Sequence, residues 1–232
     1  MASEQIVRAQ ALIEQTRYKI GTHEFLLSFI DWWAFLHSGL FPTVALQKEP
    51  KLFNLAGELS YLLSEIMLSG NHDPLSTLLS DYSPSTRSTF DFYPTPQGVS
   101  ELISRLVAEP HSLAGTGAIS IYEPCVGTSG LIFEKIKQIA SARSEQSNPL
   151  AGVSIRVEDI NPYAVKAFFL QFNFLMQHLA TSYGKELIPD SVQIVCCDVL
   201  SRKQGAVSYY LSNPSIAQTN ECFWAQDLAV GE

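Results

Sequence analysis

The chain has 232 residues, 46% hydrophobic and 16% charged, with a formal net charge of −8. That length leaves room for one sizeable core plus an appendage, and the composition excludes a disordered, collagen-like or low-complexity chain. The acidic balance argues against a generally basic surface and leaves a local basic groove open.

The first eighty residues read as helices. An opening helix runs roughly from Glu4 to Ile20 and is separated by Gly21-Thr22 from a second, in which Phe25, Phe29, Trp32, Trp33, Leu36 and Leu40 form one wide apolar stripe. Pro42 and Pro50 bracket a loop. A third helix carries Leu52, Leu55, Leu59, Leu62 and Ile66 at three- and four-residue spacing and ends at Gly70-Asn71. These stripes are read as core packing. The greasiest stretch, Phe25 to Phe41, is broken by Asp31 and His37, and no apolar run reaches the ~18 residues of a membrane span. The start, MASEQIVRAQ, has no basic stretch leading into an apolar one, so no secretory leader is expected.

A polar link, Asp81 to Thr89, precedes a change of pattern. Helical and β-rich segments then alternate: helix Gln97–Ala108, strand Ala118–Tyr122, helix Gly130–Ala142, strand Val153–Val157, helix Pro162–Ser182, strand Val192–Cys196 and strand Val207–Leu211. Alternation of this kind predicts βαβ units, a mostly parallel sheet and right-handed crossovers. Residues 1–85 are read as a helical region and 90–232 as an α/β domain. Cys125, Cys196, Cys197 and Cys222 show no CxxC spacing. Neither a zinc site nor a disulfide framework is expected, and a reducing cytoplasm suits them.

Ligands of open α/β sheets bind beyond the carboxyl ends of the strands. Each strand here is followed by residues that suit such a site. After the first come Glu123-Pro124-Cys125-Val126-Gly127-Thr128-Ser129-Gly130 and then a helix, so small residues and free amides meet at one place. After the second come Glu158-Asp159-Ile160-Asn161-Pro162, where an acid can accept both ribose hydroxyls. The third ends in Cys197-Asp198-Val199 and the fourth in Ser212-Asn213-Pro214-Ser215-Ile216. Taken singly, these are a tight turn, helix caps and an ordinary turn; in order, they read as a nucleoside-binding crevice.

The set resembles the amino-group DNA methyltransferases, most closely the adenine-N6 modification subunits of type I restriction systems. The resemblance covers roughly Phe92 to Ile216 and implies a Rossmann-like S-adenosyl-L-methionine-dependent sheet behind a helical N-terminal domain. It implies that Phe92-Tyr93-Pro94-Thr95-Pro96-Gln97, through Tyr93 and Thr95, helps hold the methionine end of the donor. Glu123, Cys125, Gly127, Ser129 and Gly130 would form the donor loop. Asp159 and Ile160 would meet the ribose end, and Asp198 the adenine amine of the donor. Asn213 and Pro214 match the first half of the family's catalytic Asn-Pro-Pro-aromatic tetrad, whose Asn oxygen and Pro carbonyl orient the target amine toward the donor methyl. The aromatic residue stacks on the flipped base. Ser215 and Ile216 stand in this chain for the second Pro and the aromatic residue, and Ser129 for a usual glycine. Loss of a stacking ring costs ~1–3 kcal/mol in single-strand binders.

Two functions follow. One is a DNA adenine-N6 methyltransferase with DNA as partner, no metal and no membrane. The other is a degenerate donor-binding subunit. Family members continue beyond the point reached sixteen residues after Ile216, and their fourth strand is internal. The fourth strand is therefore expected at an edge, where a partner chain, a second copy or Ala217–Glu232 would cover it.

Overall fold

The computed structural model describes residues 2–83, 98–99, 102–103, 113, 115 and 117–213. The expected helix Gln97–Ala108 lies mostly outside them, as do Tyr93, Thr95, Pro214, Ser215, Ile216 and Cys222.

Helix α1 (Ala2–Glu14) ends six residues before the expected limit. The carbonyl of Thr16 accepts the amides of Lys19, Ile20 and Gly21, closing the chain into turns that lead to Gly21 at φ 86°. Helix α2 (Thr22–Ser38) then buries Phe25, Phe29, Trp32 and Trp33, with Gly39 closing it at φ 69°. The apolar stripe is narrower than expected: Leu36 is 58% exposed, and Leu40, past the helix end, is 48% exposed. Helix α3 (Pro50–Leu68) starts with proline in its first turn, where no amide is needed. Helix α4 (Pro74–Asp81) follows and extends one residue into the expected polar link.

The α/β part runs β1 (Ile119–Glu123), α5 (Gly130–Ala142), β2 (Val153–Asp159), α6 (Pro162–Tyr183), β3 (Ser191–Cys197) and β4 (Gln204–Ser212). The four strands lie in sequence order, with β1, β2 and β3 parallel. The fold is α/β, with a mostly parallel sheet and a helical N-terminal part. Asn161 caps α6 by accepting the amides of Tyr163 and Ala164, and Pro162 takes the first helical position.

Strand β4 pairs with β3 antiparallel within the mostly parallel sheet, so its carboxyl end does not reach the rim expected for all four strands. Residues 198–203 are all that connect the two, and a parallel crossover needs a dozen residues or more. The turn puts Arg202 at φ 60°, a left-handed conformation for a non-glycine residue. Arg202 is held there by a two-pronged contact to Glu158, at 2.8 and 2.9 Å. Inside the hairpin a methyl on Gly205 would sit 2.6 Å from the Cys196 sulfur, so only glycine fits beside that thiol.

One apolar core joins the two halves, from Phe29 and Trp33 through Phe168 and Leu175 to Ile155 and Ile194. Helix α6 links them: Trp33 packs against Phe174, and Phe169 stacks on Tyr209 of β4 with ring centroids 4.1 Å apart. A poorly exposed ion pair, Lys166 to Asp31 at 2.6 Å, ties α6 to α2. No described helix is long and apolar enough to cross a membrane.

Candidate donor-binding site

The turn after β1 packs against the end of β2 through two hydrogen bonds. The amide of Val126 donates to the Glu158 carbonyl at 3.0 Å, and the amide of Gly127 donates to Asp159 Oδ2 at 2.8 Å. Gly127 sits at φ 58°, a conformation that glycine adopts without steric cost. Ser129 has φ 175°, outside the left-handed region that favours glycine. Its carbonyl accepts the amides of Ile132 and Phe133 as α5 begins.

Asp159 is half-buried. Burial raises its pKa, opposed by hydrogen bonds from the amides of Asn161, Gly127 and Ile160. The Gly127 and Asn161 amides donate to its two oxygens, each at 2.8 Å, and a carboxylate offers about four acceptor positions, so about two are left for ligand hydroxyls. Glu123 lies on the same side of the sheet, two strand positions beyond Ile121, and burial raises its pKa against the Cys125 amide. Cys125 is exposed, and its thiol is raised by desolvation and by the Asp159 and Glu123 charges. A thiol so shifted is not a ready nucleophile. Ile160, 45% exposed, offers an apolar surface at the rim.

Asp198 follows the carboxyl end of β3, at the same rim. Its carboxylate is engaged in its own turn, accepting the amides of Leu200 and Ser201 and the Ser201 hydroxyl at 2.6 Å. That hydroxyl is the main reason its pKa is lowered. Asn213 is elsewhere. Because β4 runs antiparallel, Ser212 pairs with Ser191 and the Asn213 amide donates to the Asp190 carbonyl at 3.1 Å, at the amino end of β3. The length of β3, roughly 20 Å at ~3.3 Å per residue, separates Asn213 from the Asp159 rim. The expectation that all four strand ends share one rim is thus corrected for the fourth. Among the described residues, no three His, Cys, Asp or Glu side chains converge as a metal site requires.

A polar cluster that the sequence did not reveal supports the turn after β1 from behind. Asp73, just before α4, accepts the Thr128 hydroxyl at 2.7 Å and the Gln171 amide at 2.8 Å. Gln171, fully buried, also donates to the Thr128 carbonyl and accepts the Leu75 amide. Burial raises the Asp73 pKa, and hydrogen bonds from Thr128 and Gln171 oppose it. The available signal was Gln171, which with Asn173 interrupts the otherwise apolar stretch Phe168–Phe174.

Residues 75–161 match the N-6 DNA Methylase family model. The match covers less than half of the chain. It takes in α4 from Leu75 onward, the turn after β1 and Asp159, and stops before Asp198 and Asn213. Comparison with curated proteins and with solved structures finds no match. The stretch similar to N-6 DNA methylases is therefore the one in which Gly127 and Asp159 are hydrogen-bonded.

Proposed function

We propose that the chain binds S-adenosyl-L-methionine at the carboxyl rim of β1 and β2 and serves methyl transfer to adenine N6 in DNA, as the modification subunits of type I restriction systems do. The observation that carries this reading is the Gly127–Asp159 hydrogen bond inside the segment matched by the N-6 DNA methylase model. Asp159 would accept the ribose hydroxyls, Gly127 would let the backbone come close, and Ile160 would flank the heterocycle. Glu123, Tyr93 and Thr95 would face the methionine end, with Asp198 at the adenine. The donor supplies an electrophilic methyl group; the amine it meets must be oriented by an acceptor such as an Asn oxygen.

The direction of β4 favours a second reading of the same site. With Asn213 a strand length from Asp159, this chain would hold the donor while another chain positions the base. Calorimetric titration with S-adenosylmethionine and its demethylated product tests the donor site. Asp159→Ala should weaken binding by ~1.5–3 kcal/mol, the worth of a hydrogen bond to a charged group, or roughly ten- to a hundredfold. No binding of either ligand at millimolar concentration refutes it. Tritiated-methyl transfer to DNA then separates the two readings: activity abolished by Asn213→Ala supports transfer by this chain, and its absence supports the donor-holding subunit.

A further inference from the structure

The sheet has two unlike faces. Ile155, Val157, Ile194 and Tyr209 point toward α6 and are buried. The register places the alternate residues of all four strands in lateral rows on the other face. One row is Ser120, Ser154, Ser191 and Ser212. The next is Tyr122, Arg156, Gln193 and Tyr210. Tyr122 is 51% exposed and Tyr210 64% exposed.

This face is organised around Glu158, whose side chain is fully buried. Its carboxylate accepts the Tyr122 hydroxyl at 2.8 Å and contacts both Arg156 and Arg202. The Tyr122 ring is thereby anchored by its hydroxyl while one flank stays open. Two guanidinium groups on one carboxylate leave a surplus positive charge here, on a chain whose net charge is −8. Both arginine side chains are about half exposed, at 44% and 52%.

We infer that this face is a platform for single-stranded nucleic acid. Tyr122 and Tyr210 would stack on bases, and Arg156 and Arg202 would meet phosphates. The serine row would supply hydroxyl donors. Three strand steps of ~4.8 Å set the two tyrosines about 14 Å apart. A four-stranded sheet with exposed aromatic residues stacks two or three bases across such a width. The two rows contain no aliphatic side chain, so an apolar helix from a partner protein would bury hydroxyls and guanidinium groups for little return. The inference does not rest on the donor-site reading, because the platform faces away from Asp159.

Fluorescence anisotropy of the full chain with labelled oligothymidylate, oligouridylate and a duplex, without S-adenosylmethionine, tests it. Binding of either single strand in preference to duplex, weakening steeply with added salt, is expected; the two single strands tell DNA from RNA. Tyr210→Ala should weaken binding roughly tenfold and Tyr122→Ala by at least as much, while Tyr210→Phe should keep it. Tyr210 is exposed, so its alanine variant should fold, as circular dichroism would verify. Equal affinity of the wild type and the Tyr210→Ala variant, preference for duplex, or no binding at low salt overturns the inference. So does self-association, seen by light scattering, that Tyr210→Ala abolishes while no oligonucleotide binds. A chain that binds oligonucleotide but not donor refutes only the donor reading.

Discussion

Strand β2 ends in two adjacent carboxylates, and the alternation of a strand turns Glu158 to the polar face and Asp159 to the helix-covered side. Glu158 has two arginines and a tyrosine hydroxyl, with Arg202 the largest influence, and its pKa falls to about 2. Among the described residues Asp159 is hydrogen-bonded by backbone amides alone, and burial outweighs them, so its pKa rises. A carboxylate saturated by cations holds structure together. One held by amides, with an acceptor position to spare, is suited to a ligand. Sequence adjacency conceals that difference, and the face of the sheet decides it.

The contrast between the two faces can be broken most forcefully on the covered side. Tyr209 is buried against Phe169, so Tyr209→Ala should cost ~3–5 kcal/mol by chemical denaturation, as large-to-small core changes do. A cost smaller than that of any polar-face variant would mean the covered face does not dominate stability.

On the polar face, Glu158→Gln should cost about 2 kcal/mol at neutral pH, since hydrogen bonds to a charged group are weakened and its half-exposed arginines can turn to water. The pH dependence carries the sign. A carboxylate lowered from its ordinary 4.5 to about 2 stabilises the folded chain fully above pH 4.5 and loses that contribution as pH falls toward 2. Asp159, being raised, works in the opposite sense: its protonation favours the folded chain. Melting temperature measured across pH 2 to 5 should thus fall more gently in Glu158→Gln than in the wild type. Parallel curves would show that Glu158 is not the acid-sensitive group.

The smallest effect should be a gain. Among the described residues the buried Tyr209 hydroxyl has no hydrogen-bond partner, so Tyr209→Phe should stabilise by ~1 kcal/mol. A loss of stability in the same denaturation assay would show that the hydroxyl is satisfied.

Periodicity and punctuation made much of the fold legible. The bounds of α5 match those read from the sequence, and α6 differs by one residue, because Gly130 and Asn161-Pro162 mark their starts with conformational or capping chemistry. Strand positions were legible too, but strand direction was not, since alternation of side chains is the same in either sense. The length of the β3–β4 link held the missing information. The turn after β1 and the position of Asp159 could be read because both lie at strand ends. The Asp73 cluster could not, because its members, 55 and 98 residues apart, meet only once α6 packs beneath the loop. Asn213 was assigned to the wrong rim because its rim depends on the direction of β4.

That cluster bears on how the molecule can be divided. A cut between residues 83 and 117 would separate Asp73 and the Leu75 amide from Thr128 and Gln171. The remaining α/β half would keep Glu123 and the later residues proposed for the donor rim, yet Gln171 would lose two of its partners and the apolar face of α6 that packs on the helices would be bared to water. Lys166 would also lose Asp31. The helices before the sheet are therefore no detachable preface: a shortened version built from β1 onward would carry the donor motif without the scaffold that shapes it.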